Sequence, residues 1–141
     1  MKVHDFSDFE DLSIVGRFVD VVLLDATKRA DRIHFERIHE SNEVGCRFSV
    51  SFEKDGSCKE YKTDGESPDE VFRRLSMRPS EVWQKILRRL KVMANVVDDG
   101  PTISADGQIL LRLSKNRTVE FYMTTNPDPY TDNKVTLIYK G

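Results

Sequence analysis

Residues 79–95 read PSEVWQKILRRLKVMAN, and the spacing of their apolar letters decides the fold class. Val82, Trp83, Ile86, Leu87, Leu90, Met93 and Ala94 recur at steps of three and four, so a helix of 3.6 residues per turn gathers them into one inner face. Pro79 is tolerated in the first turn, where the backbone N–H has no partner anyway, and Gly100-Pro101 lies beyond the end. Lys85, Arg88 and Arg89 are expected on the outer side. Upstream, Ser67-Pro68-Asp69-Glu70 starts a second, short helix ending near Ser76, with Ser67 placed to cap and Glu70 to complete a capping box.

Further upstream the period falls to two. Ile33, Phe35 and Ile38 nearly alternate with His34, Glu36 and Arg37, and Phe48, Val50 and Phe52 alternate with Ser49, Ser51 and Glu53, which predicts two strands with one face covered. Asp55-Gly56 suits a two-residue hairpin loop needing positive φ and turns the chain into Cys58–Lys62. Before these strands, Leu12 to Arg29 forms an amphipathic helix with Ile14, Val15, Phe18, Val21, Val22 and Leu24 as its stripe. After the long helix, Ile103, Ile109–Leu113, Val119–Met123 and Val135–Tyr139 are strand segments divided by Asp106-Gly107, Lys115-Asn116 and the Asn126–Asn133 loop. The fold class is therefore α+β: an N-terminal helix, antiparallel strands, two helices, then a C-terminal antiparallel β-meander packed against helices.

The length of 141 residues suits a single domain over 1–141, with a core large enough to need no metal or disulfide. A net charge of −2 argues against a nucleic-acid binder, which depends on surplus Lys and Arg to displace counterions. The charge is uneven: residues 1–25 hold six acids against two bases, while residues 67–95 hold seven bases against three acids. No N-terminal signal or membrane anchor is read, so the expected compartment is the cytoplasm. Cys46 and Cys58 both fall in strand-like segments and are expected to be buried small hydrophobes.

Seven segments in order resemble the domain that precedes the ATPase domain in type II secretion and type IV pilus-assembly ATPases. The family runs as an apolar helix ending A-I-K-R, then A-S-D-I-H-F-E, R-x-R-x-D-G, I-K-V-M-A-N-L-D, L-P-Q-D-G-R, V-D-I-R-V-S-T-L-P and Y-G-E-K-V-V-L-R-I-L. Here the corresponding stretches are Leu23 to Arg29, Ile33-His34-Phe35-Glu36, Val50 to Gly56, and Leu90-Lys91-Val92-Met93-Ala94-Asn95. The series resumes at Ala105 to Ile109, Val119 to Pro127, and Tyr130 to Leu137. Ile33, Phe35, Val50, Phe52, Val92, Met93, Ile109, Val119, Phe121 and Val135 match apolar family positions and are expected to keep the core.

Against that pattern the arginines are gone. Ser51 and Glu53 stand at the two arginines before D-G, Pro101 and Thr102 at the pair before L-P-Q-D-G, and Gln108, Tyr122 and Ile138 at three more. The resemblance implies that those arginines face nucleotide and the neighbouring ATPase domain, work that suits a permanently charged, bidentate guanidinium. No G-x-x-x-x-G-K-[ST] phosphate loop occurs in the sequence, so no ATPase domain and no enzymatic activity are expected. The start at Met1 favours an intact small protein, although Lys140-Gly141 lies where the family's next domain begins, so a truncated fragment of a longer motor ATPase stays open.

Other constellations carry less. His34 and His39 with Glu36 or Glu40 lack a recognised ligand spacing, and His34 matches the family's strand histidine, which implies a structural hydrogen-bonding role. Asp98-Asp99 is read as a solvated loop and Trp83 as core. No catalytic residue, cofactor or metal is expected. The sequence thus points to a non-catalytic interaction protein, a monomer or weak dimer, that binds and inhibits a pilus or secretion motor ATPase. Lys85, Arg88 and Arg89 are the candidate partner-binding residues, with the acidic N-terminal third as the alternative they answer. A nucleotide- or cyclic di-GMP-responsive sensor of pilus assembly is the rival reading.

Overall fold

The computed structural model describes residues 3–5, 14–39, 46–94, 107–125 and 134–141. In chain order they form β1 (Val3–Asp5), α1 (Ile14–Arg29), β2 (Arg32–His39), β3 (Cys46–Lys54), β4 (Ser57–Glu60), α2 (Pro68–Arg74), α3 (Pro79–Met93), β5 (Gly107–Ser114), β6 (Arg117–Thr125) and β7 (Lys134–Tyr139). The expected α+β order is present, including the β5-β6-β7 meander.

One sheet holds all seven strands in the order β1-β5-β6-β7-β2-β3-β4. The meander joins the first hairpin because β7 pairs antiparallel with β2, setting Ile33 opposite Leu137 and Phe35 opposite Val135. The parallel pairing of β1 with β5 was not foreseen, since three residues are too few to show a period. Along β2, β3, β6 and β7 alternate residues face the core, among them Ile33 and Phe35, Val50 and Phe52, Phe121 and Met123, and Val135 and Leu137.

The three helices lie against that inner face: α1, α2 and α3 meet β3, and α3 also reaches β5. All seven apolar residues of the long-helix stripe, from Val82 to Ala94, are buried, Trp83 being the largest of them. Each large apolar side chain so buried contributes about 1.5–3 kcal/mol. Aromatic contacts fasten the shorter elements. The Phe72 ring on α2 meets Phe18 of α1 edge-on at 5.2 Å and Phe48 of β3 at 6.0 Å.

Local sequence signals set the element ends. Ser67 is the N-cap of α2 and its Oγ accepts from the Glu70 N–H at 3.3 Å. Asp55 and Gly56 take φ of 54° and 81°, the left-handed pair that a tight hairpin needs.

Three side-chain expectations fail. In α1 the buried line is Val15, Val19, Val22, Leu23 and Ala26, leaving Ile14 and Val21, seven residues apart, on the exposed flank. Val92 is 49% exposed, since it lies one residue outside the stripe that its neighbours Leu90 and Met93 occupy. The Cys58 thiol is exposed because β4 is an edge strand with all four residues outside the core. Ile103, Asp98-Asp99, Pro101, Thr102 and the Asn126–Asn133 loop lie outside the described residues.

Candidate interaction face

None of the described helices packs its buried stripe on the second face of the sheet. One unbroken row of Cα partners crosses six strands there: Gln108 on β5, Tyr122 on β6, Ile138 on β7, Arg32 on β2, Glu53 on β3 and Cys58 on β4. The row beside it runs Thr124, Thr136, His34, Ser51 and Glu60. Four positions at which the resemblance expects arginine, Gln108, Tyr122, Ile138 and Glu53, therefore share a single row, and Ser51 sits in the next. At a strand spacing of about 4.8 Å, Gln108 and Glu53 are about 19 Å apart along this strip.

The two rows now carry a single arginine, Arg32, against the carboxylates Glu53 and Glu60. Arg32 Nε lies 3.7 Å from Glu53 Oε2. Arg32 is the cross-strand partner of Glu53, one of the positions at which the resemblance expects arginine. The Glu53 charge is thus answered within the chain. At this half-exposed site the pair contributes on the order of 0–1 kcal/mol, and its main effect is to occupy Arg32.

His34 is held from both sides: Nδ1 is 3.0 Å from Thr136 Oγ1 and Nε2 is 3.2 Å from Glu53 Oε1. This is the hydrogen-bonding role expected for the strand histidine. Gln108 Nε2 donates to Glu120 Oε1 at 2.9 Å. Opposite Glu53, the Cys58 Sγ lies 3.8 Å from Glu53 Oε1.

The basic face of α3 divides. Lys85 and Arg88 are exposed, and with Val92 they fall at steps of three and four on the solvent side. Arg89 is not on that side. It is 5% exposed and grips Asp20 of α1, with Nε and Nη2 donating to Oδ1 at 3.2 and 3.1 Å and Nη2 to Oδ2 at 2.9 Å. The physical reason is the close packing of α1 on α3, which buries Asp20 and demands a bidentate cation opposite it.

At the β3–β4 end of the inner face is a hollow of about 620 Å³. Its walls include Arg29, Lys54, Lys59 and Lys62 with the rings of Phe52 and Tyr61. The Arg29 guanidinium lies 5.4 Å from the Phe52 ring centre and 5.7 Å from that of Tyr61. Burial pushes the Tyr61 phenol up to about 12, with help from its hydrogen bond to Asp25 Oδ2 at 2.7 Å and from the Asp25 charge. No described helix is long and apolar enough to cross a membrane.

No protein-family model matches the chain. It is 25% identical over 119 residues to the type IV pilus assembly ATPase PilB of Acinetobacter baylyi, covering 84% of this chain and 17% of that protein. To the type IV pilus assembly ATPase PilB of Pseudomonas aeruginosa it is 29% identical over 125 residues, covering 88% of this chain and 19% of that one. The chain thus spans under a fifth of the length of these relatives, and over most of its own length it is similar to a part of type IV pilus assembly ATPases.

Proposed function

We propose that this chain is a non-catalytic counterpart of the domain ahead of the ATPase domain in a type IV pilus or type II secretion motor, and that it binds such a motor and inhibits it. The observation that carries the reading is the arginine-depleted row Gln108, Tyr122, Ile138 and Glu53 on an α+β scaffold whose core is retained. A domain that takes its homologue's place in a ring while presenting Gln, Tyr, Ile and Glu where guanidinium would meet nucleotide occupies the interface without supporting turnover. The exposed Lys85, Arg88 and Val92 of α3 form the docking face in this reading, a basic rim beside an apolar residue.

The test is to mix the purified chain with the cognate motor and follow complex formation and ATP turnover together. Binding with lowered turnover is expected. Absence of a complex at concentrations on the order of tens of micromolar, with turnover unchanged, rejects the reading.

The hollow at the β3–β4 end supports a second reading, a sensor for an anionic aromatic ligand such as a nucleotide, because Arg29, Lys54, Lys59 and Lys62 outnumber the carboxylates Asp55 and Glu60 around the rings of Phe52 and Tyr61. A thermal-shift screen separates the two: a ligand at about a hundred times its Kd adds about 2.7 kcal/mol, whereas a pure interaction module shows no shift.

A further inference from the structure

We propose that His34, Glu53 and Cys58 form a binding site for a divalent transition metal, with zinc as the ion of best fit. The ligating atoms of the three side chains all lie within 4.8 Å of one another. Cys58 is directly opposite Glu53 across the β3–β4 pair, and His34 is diagonal to Glu53 across β2–β3. Tetrahedral zinc with Zn–N and Zn–O near 2.1 Å and Zn–S near 2.3 Å sets N···O separations at about 3.4 Å and S···O at about 3.6 Å. Two of the three separations, 3.2 Å from His34 Nε2 to Glu53 Oε1 and 3.8 Å from Cys58 Sγ to the same oxygen, lie close to those values, and the third, between Nε2 and Sγ, is within 4.8 Å and closes to about 3.6 Å when both atoms take up the ion.

The ligands are oriented before any ion arrives. Thr136 Oγ1 holds the His34 ring through Nδ1, which leaves Nε2 to face Glu53. Arg32 draws the second Glu53 oxygen, Oε2, and so leaves Oε1 toward His34 and Cys58. One sulfur, one imidazole nitrogen and one carboxylate oxygen form a borderline-soft set that suits zinc and disfavours calcium and magnesium. Cys58 is exposed, which supplies the entry path and leaves the fourth position for water.

The protons balance simply. Without metal, the thiol donates to Glu53 Oε1, and in the Nε2–H tautomer the imidazole donates to the same oxygen. On binding, the thiol proton leaves to solvent, while the imidazole stays neutral by carrying its proton on Nδ1, donated to Thr136 Oγ1. The three side chains then change from a net charge of −1 to a neutral metal centre, which adds one positive charge to the row in which Arg32 is the one arginine.

This inference is independent of the motor-binding reading, because metal binding is measured on the chain alone. The probes are Zn²⁺ and Co²⁺ added to the full chain with a reductant that does not bind metal. One ion per chain and a thiolate-to-cobalt charge-transfer band are expected. Cys58→Ser should abolish the band and weaken zinc binding at least about tenfold, Thr136→Val should weaken it about tenfold, and Cys46→Ser should leave both readouts unchanged. Saturation weaker than on the order of 100 µM, a band that survives Cys58→Ser, or one ion per two chains overturns the proposal. Because Cys58 is exposed, its serine variant is expected to keep the wild-type circular dichroism, so loss of the band reads the site and not the fold.

Discussion

Replacing Arg89 with methionine isolates the contribution of the ion pair between α1 and α3. Both side chains of the Asp20–Arg89 pair are 5% exposed, and three hydrogen bonds join them. Methionine keeps much of the arginine stem, so little cavity forms and the main loss is the countercharge to Asp20. Breaking a buried pair from one side costs about 3–5 kcal/mol, a large share of the 5–15 kcal/mol that holds an ordinary domain together. At about 3–4 °C per kcal/mol for a chain of this size, Tm should fall by about 10–20 °C. Urea unfolding followed by the emission of Trp83, fully buried on the same helix, measures the change directly. The exposed neighbour Arg88→Met should change stability by no more than about 0.5 kcal/mol. Converting both partners, Asp20→Leu with Arg89→Met, should recover most of the loss, because neither side of this contact then buries a charge. A loss under about 1 kcal/mol for Arg89→Met, or an equal loss for Arg88→Met, would show that the pair does not govern the packing of α1 on α3.

Four further outcomes are expected. The raised Tyr61 phenol implies stability that is fully present below pH 10 and lost as pH rises toward 12; ultraviolet titration should show a phenolate component near pH 12 that Tyr61→Phe removes, and Asp25→Asn should lower its midpoint. Ser67→Ala removes the acceptor for the Glu70 N–H and should cost about 1 kcal/mol in chemical denaturation. Gly56→Ala meets nothing within 4 Å, so its cost, about 1–2 kcal/mol, should come from the backbone at φ +81° alone; an unchanged denaturation midpoint counts against the left-handed hairpin. Lys85→Glu with Arg88→Glu should leave Tm within a few degrees of wild type and weaken the proposed motor complex at least tenfold by titration; undiminished binding removes α3 from the docking face.

Much of the architecture was legible in the letters because it depends on short-range physics. The three-and-four spacing from Val82 to Ala94 names the buried residues of α3 without reference to anything else, since a helix brings those positions to one side wherever it packs. Ser67 and Asp55-Gly56 set a helix start and a hairpin by local hydrogen bonding and φ. The pairing of Glu53 with Cys58 also follows from the two-residue turn, which fixes the register two residues away on either side.

Tertiary structure decided what the spacing left ambiguous. Arg88 and Arg89 are adjacent letters on one helix, and only the approach of α1 with Asp20 buries the second and leaves the first in water. The row from Gln108 to Cys58 joins six strands through the β7–β2 pairing, a contact between segments some hundred residues apart for which no local signal exists. His34 reaches Glu53 and Thr136 by the same long-range registers. Sequence alone determined the longer elements and the buried stripe of α3, because period and capping act within a few residues. Which charges meet across those faces was fixed only when the strands took their order, because electrostatic partners are chosen by distance in space.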